Sequence, residues 1–83
     1  MTEDEILRGI EDVARRHVGV ARGLQQSLSL QADLLLDSLQ LMTLAVEVEN
    51  RFRVRLDPED EAQVRTVGDL VRVVGGKLAA EGR

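Results

Sequence analysis

The chain has 83 residues, a net charge of −4, no cysteine and one histidine, His17. These totals exclude a disulfide framework, a thiolate metal site, a cysteine nucleophile and a multi-histidine metal centre. The acidic balance argues against nucleic acid, which selects basic surfaces, and favours a basic or neutral partner drawn by long-range attraction.

With no Trp or Tyr and Phe52 the only aromatic, the core has to be aliphatic. A chain this short makes one domain, residues 1–83, and buries about 60–65% of its unfolded surface. The acidic start, Met1 to Gly9, lacks the basic and apolar regions of a signal peptide, so a cytoplasmic location is expected. No apolar run approaches the length that spans a bilayer, and no membrane association is expected.

The first helix is predicted over residues 3–18. Thr2 and Glu5 form a capping-box pair. Glu3, Asp4 and Glu5 in the first turn, and Arg15, Arg16 and His17 in the last, suit the helix dipole. Ile6, Ile10, Val13 and Ala14 fall on one stripe, and Gly19 is a stop.

Residues 19–37 show no period and read as a loop, with a short helical turn conceivable around 30–36. A structureless connection this long is uncommon in a compact domain unless it has a task. Its six leucines (Leu24, Leu28, Leu30, Leu34, Leu35 and Leu36) are too many to leave in water, so some should pin the loop onto the helices.

The second helix spans Leu39 to Phe52, with Ser38 read as its cap. Leu41, Leu44, Ala45, Val48 and Phe52 make one apolar face. A second strip holds Leu39, Met42 and Val46. Two apolar faces mean deeper burial, or a surface held ready for a partner, and Met42 and Val46 fit either.

Arg51 to Leu56 alternates like a strand but has no ladder partner, so it is read as the helix end and its turn. Asp57-Pro58 starts a short third helix, about 58–64. Thr66 and Asp69 cap a fourth, whose face is Val67, Leu70, Val71, Val74 and Leu78. Gly75 and Gly76 weaken it, and residues beyond about 79 are expected to fray. The predicted class is all-α: a small four-helix bundle with three longer helices, one short helix and a long loop between the first two.

The chemistry concentrates at Asp37-Ser38-Leu39. An exposed serine at a helix N-terminus offers a reachable hydroxyl, and the dipole and amides there favour an attached phosphate. A serine before a helix is, on its own, more often a plain cap. The surroundings narrow the reading. The run Asp33-Leu34-Leu35-Leu36-Asp37-Ser38-Leu39 leads into an apolar helix ending Glu49-Asn50-Arg51-Phe52. Val54-Arg55-Leu56, the acidic short helix from Asp57 and Arg65-Thr66-Val67-Gly68-Asp69-Leu70 follow. In this order, over nearly the whole chain, the sequence resembles the acyl and peptidyl carrier proteins.

The resemblance implies that Ser38 receives phosphopantetheine from coenzyme A through a separate, magnesium-dependent phosphopantetheinyl transferase. It implies an arm whose thiol carries acyl or aminoacyl groups as thioesters between a loading enzyme and downstream synthases. The chain itself is then a monomeric tether and not an enzyme, and its aliphatic bundle could shelter the cargo. The surface implied for partner recognition comprises Asp37, Leu39, Met42, Val46 and Glu49.

Three departures from the family pattern stand out. Leu35 replaces a glycine common two residues before the aspartate. Gln40 and Thr43 stand where acids are common, and Arg51 interrupts the terminal acidic cluster. Leu39, Met42 and Val46 make the partner face more apolar. Together they predict hydrophobic docking over electrostatic steering, and a dedicated pathway over general fatty-acid synthesis. The alternative is a carrier-like interaction or regulatory module that is never modified. His17 reads as a dipole-complementing residue, and Arg51, Arg53 and Arg55 as solvated or paired to acids. No metal site is expected.

Overall fold

The computed structural model describes residues 1–82. They form four helices, α1 (Glu3–His17), α2 (Ser38–Phe52), α3 (Pro58–Gln63) and α4 (Val67–Gly82). Among these residues there is no strand, only an isolated antiparallel bridge between Ser29 and Thr66. α1 packs on both α2 and α4. Its stripe of Ile6, Ile10, Val13 and Ala14 is buried against Leu44, Val48 and Phe52 from α2 and Val67, Leu70, Val71 and Val74 from α4. The aliphatic core expected from composition is this cluster.

The helix ends follow their capping residues. Thr2 and Glu5 cap α1 reciprocally, and Gly19 follows the C-cap with φ +73°. Asp57 and Asp60 do the same for α3, and Thr66 and Asp69 for the start of α4. α4 runs through Gly75 and Gly76 to Gly82. Arg83, the last residue of the expected tail, lies outside the described residues.

The α1–α2 loop is pinned as its leucines predict. Leu24, Leu30 and Leu36 are buried, and Leu28 and Leu34 pack partly against the core. The amides of Asp33 and Leu34 donate to the Ser29 carbonyl at 3.0 and 3.1 Å, closing one helical turn. Polar contacts hold the rest. The Glu11 carboxylate accepts from the Leu24 amide at 2.7 Å. The segment before α4 exchanges backbone bonds with the loop: Leu30 N–H to Arg65 O at 3.0 Å, Val67 N–H to Leu28 O at 2.9 Å, and Gly68 N–H to Gln26 O at 2.8 Å. A Cβ at residue 68 would stand 3.0 Å from that same Gln26 oxygen, so the close approach needs glycine.

Ion pairs tie the outer surface. Arg51 bridges to Asp12 at 2.7 Å, joining α2 to α1, and Lys77 reaches Asp60 at 2.8 Å, joining α4 to α3. The Arg51 guanidinium holds the Asp12 carboxyl below the ordinary aspartate range. Lys77 does so for Asp60, and the amides of Arg65 and Thr66 do so for Asp69. A carboxyl depressed in the folded state contributes stability above its unfolded value, and loses it as pH falls through the folded one. Urea midpoints should therefore be flat above about pH 5 and decline below about pH 4, where aspartate ordinarily titrates. Lys77 is shifted upward by Asp60, so its contribution persists to alkaline pH and disappears only beyond the ordinary lysine value. A midpoint that stayed level from pH 6 to pH 3 would show that these pairs stabilise nothing.

Candidate functional site

α2 begins where the pinned loop ends, and the buried Leu36 fixes that junction. The N-cap of α2 is Asp37, not Ser38. The Asp37 carboxylate accepts from the Gln40 amide at 2.8 Å, and the Gln40 side chain accepts from the Asp37 amide at 3.0 Å. Ser38 is the first residue of the helix. The correction has a simple cause. Aspartate and serine are both strong caps, and here the glutamine that completes the box lies three residues after Asp37.

The consequence bears on the chemistry. Capping is done by the neighbour, so the exposed Ser38 side chain makes no hydrogen bond among the described residues. The Ser38 and Leu39 amides, in the unpaired first turn, likewise have no partner among the described residues. No acid stands within the first turn of α2. The helix dipole therefore faces Ser38 unopposed, apart from an Asp37 carboxylate already engaged with an amide. A phosphodiester on Ser38 fits this donor set.

The second apolar strip of α2 is on the surface. Leu39 is 71% exposed, Met42 65% and Val46 50%. Of the two readings open for Met42 and Val46, core packing against the loop is excluded. Glu49 continues the strip by spacing, but its carboxylate accepts from the Leu56 amide at 2.6 Å and closes the α2–α3 turn. His17 lies 3.6 Å from Glu47 across the α1–α2 junction, away from Ser38. Arg51 is paired with Asp12, as described, while Arg53 and Arg55 are exposed. No group of three or more metal-ligating side chains occurs among the described residues.

Leu35 departs furthest from expectation. It is 78% exposed, while Leu34 and Leu36 on either side turn inward. Its φ is +58°, a region that costs a residue with a side chain about 1–2 kcal/mol and glycine almost nothing. The backbone here has the shape glycine favours, and this chain holds that shape with leucine. The sequence marks the substitution but not the conformation.

Between α2, α3 and the loop lies an apolar cavity of about 140 Å3, lined by Leu30, Leu41, Ala45, Leu56 and Val64 among others. Met42 and Glu61 also line it. No helix among the described residues is long and apolar enough to cross a membrane.

Comparison with known proteins agrees with this geometry. Residues 8–74 match the family described as "Phosphopantetheine attachment site". The chain is 36% identical over 74 residues to an acyl carrier protein of Kineococcus radiotolerans, covering 88% of this chain and 91% of that one. It is 33% identical over 75 residues to the meromycolate extension acyl carrier protein of Mycobacterium tuberculosis, covering 89% of this chain and 65% of the relative. The solved acyl carrier protein of Enterococcus faecalis superposes with a TM-score of 0.70 at 26% identity, over 93% of this chain and 99% of that one. With the family matched over most of its length, the chain belongs to the acyl carrier proteins, which bear covalent phosphopantetheine and carry acyl groups without catalysing their chemistry.

Proposed function

We propose that Ser38 is the attachment point, and that the chain is a monomeric, cytoplasmic carrier serving a dedicated lipid or secondary-metabolite pathway. One observation carries the first part. Asp37 caps α2, so the neighbouring Ser38 hydroxyl is exposed, unbonded and set at an unopposed helix N-terminus. When attached, the arm supplies the thiol that holds acyl groups as thioesters. The protein's own residues do the rest. Leu36 and the Asp37–Gln40 box fix the helix start, and the first-turn amides face the phosphate position. The apolar cavity beside Met42 offers the cargo a place out of water.

The recognition surface we assign is Asp37, Leu39, Met42 and Val46, closed at its far end by Glu49. Three exposed apolar side chains on one helix face favour docking by desolvation over charge steering. The relative named for meromycolate extension supports a dedicated pathway.

The deciding experiment incubates the purified protein with coenzyme A, magnesium and a promiscuous phosphopantetheinyl transferase, then measures the intact mass. Gain of one phosphopantetheine is expected. No gain, under conditions that convert a control carrier, favours an unmodified interaction module instead.

Docking has its own test. Met42→Glu should lower kcat/KM of the cognate loading enzyme at least tenfold, because a charge enters an apolar contact. The fold should be unaffected, since Met42 is exposed. Loading at the wild-type rate would remove Met42 from the interface.

A further inference from the structure

Leu35 breaks the pattern that explains the rest of the loop. Its neighbours are anchors: Leu36 is buried and Leu34 packs partly on the core. Leu35, between them, is the most exposed large apolar side chain described, ahead of Leu39, Met42 and Val46. It holds this position in left-handed backbone, φ +58°. Strain with no return inside the chain points outward, to a use at a functional site. An apolar side chain so exposed gains only when something covers it.

We propose that Leu35 is a specificity-determining contact for the phosphopantetheinyl transferase that modifies Ser38. This rests on Ser38 being the attachment point. The occupant follows from continuity with that residue. In the transfer, the Ser38 Oγ bonds to the phosphorus that carries the pantetheine and the pyrophosphate P–O bond breaks. Adenosine 3′,5′-bisphosphate leaves, and the hydroxyl proton passes to a base of the transferase. The transferase must therefore close on the polypeptide around Ser38. Leu35 lies three residues before that serine and Leu39 one residue after it, so two exposed leucines flank the hydroxyl along the chain. Enzymes that act on the cargo also dock on this end of α2, but they react at the far end of the arm, whereas the transferase alone must bring its reacting atoms to the Ser38 hydroxyl itself.

The test uses Leu35→Gly and Leu35→Asn, since both residues tolerate positive φ. The full-length variants are assayed by intact mass for modification by the source organism's own transferase, with coenzyme A and magnesium, and by urea unfolding. Both should unfold at the same or higher urea than the wild type, while kcat/KM for modification falls at least tenfold, the low end of what burying one leucine is worth. Leu35→Met should retain most of the rate. A merely structural residue would lower the unfolding midpoint on substitution and leave kcat/KM alone. If the wild type is modified and both variants match it, the inference is overturned and the Ser38 reading stands. If the wild type is not modified, both are overturned.

Discussion

Ser38→Ala should abolish the mass gain from coenzyme A altogether while leaving the fold as stable as before. Both halves follow from the same geometry. The loss is complete because removing the hydroxyl removes the atom that bonds to phosphorus, and no other residue lies at this helix start with a free hydroxyl. The stability is unchanged because the cap is Asp37, which bonds to the Gln40 amide whatever stands at position 38. Alanine is also a better helix former than serine by a few tenths of a kcal/mol. Asp37→Ala separates the two roles from the other side. It should cost about 1 kcal/mol of stability by uncapping α2, yet leave the hydroxyl in place. Had Ser38 been the cap, its alanine variant would lose that stability instead. Intact mass and urea unfolding on the two variants read both quantities. Modification persisting in Ser38→Ala would move the attachment point elsewhere.

Most of the fold was legible because it rests on local patterns. The stripe Ile6, Ile10, Val13 and Ala14, the caps at Thr2, Asp57 and Thr66, and the stop at Gly19 each need only neighbours three or four residues away. The loop was legible in outline, since surplus leucines must go somewhere. Which of them would anchor it was not. Leu24, Leu30 and Leu36 are buried and Leu35 is not, and this depends on one residue's φ, which leucine does not announce. The bond of the Leu24 amide to Glu11 and the bridge of Ser29 to Thr66 were out of reach for the same reason. They join residues distant in sequence through single contacts, and a single contact has no period. At the site, the error over the cap was a choice between two adjacent good caps. The exposed strip of Leu39, Met42 and Val46 was visible as a pattern, but only the packing of the loop decided that it stays uncovered.

Phe52→Ala is expected to remove most of the stability of the domain. Phe52 is 8% exposed and is the chain's only aromatic, the largest single volume in an otherwise aliphatic core. Its ring lies against Gly9 of α1. A Cβ built on Gly9 would stand 2.5 Å from the ring tip, so glycine there is a notch that lets the two helices close over the phenyl group. Truncating a buried phenylalanine typically costs about 3–5 kcal/mol. A small domain has little more than that to lose. At about 4–8 °C per kcal/mol, Tm should drop by roughly 12–40 °C, or the cooperative transition should vanish. Gly9→Ala probes the same contact from the other side. It should destabilise by about 1–3 kcal/mol through overpacking, against the gain alanine brings to an ordinary helix position. Function should follow the fold here, because α2 carries Phe52 at one end and Ser38 at the other. Modification of Phe52→Ala should fall at elevated temperature and recover on cooling, as the folded fraction recovers. A variant that unfolded within 1 kcal/mol of the wild type would mean that the notch closes without the ring, and that aliphatic packing alone holds α2 on α1.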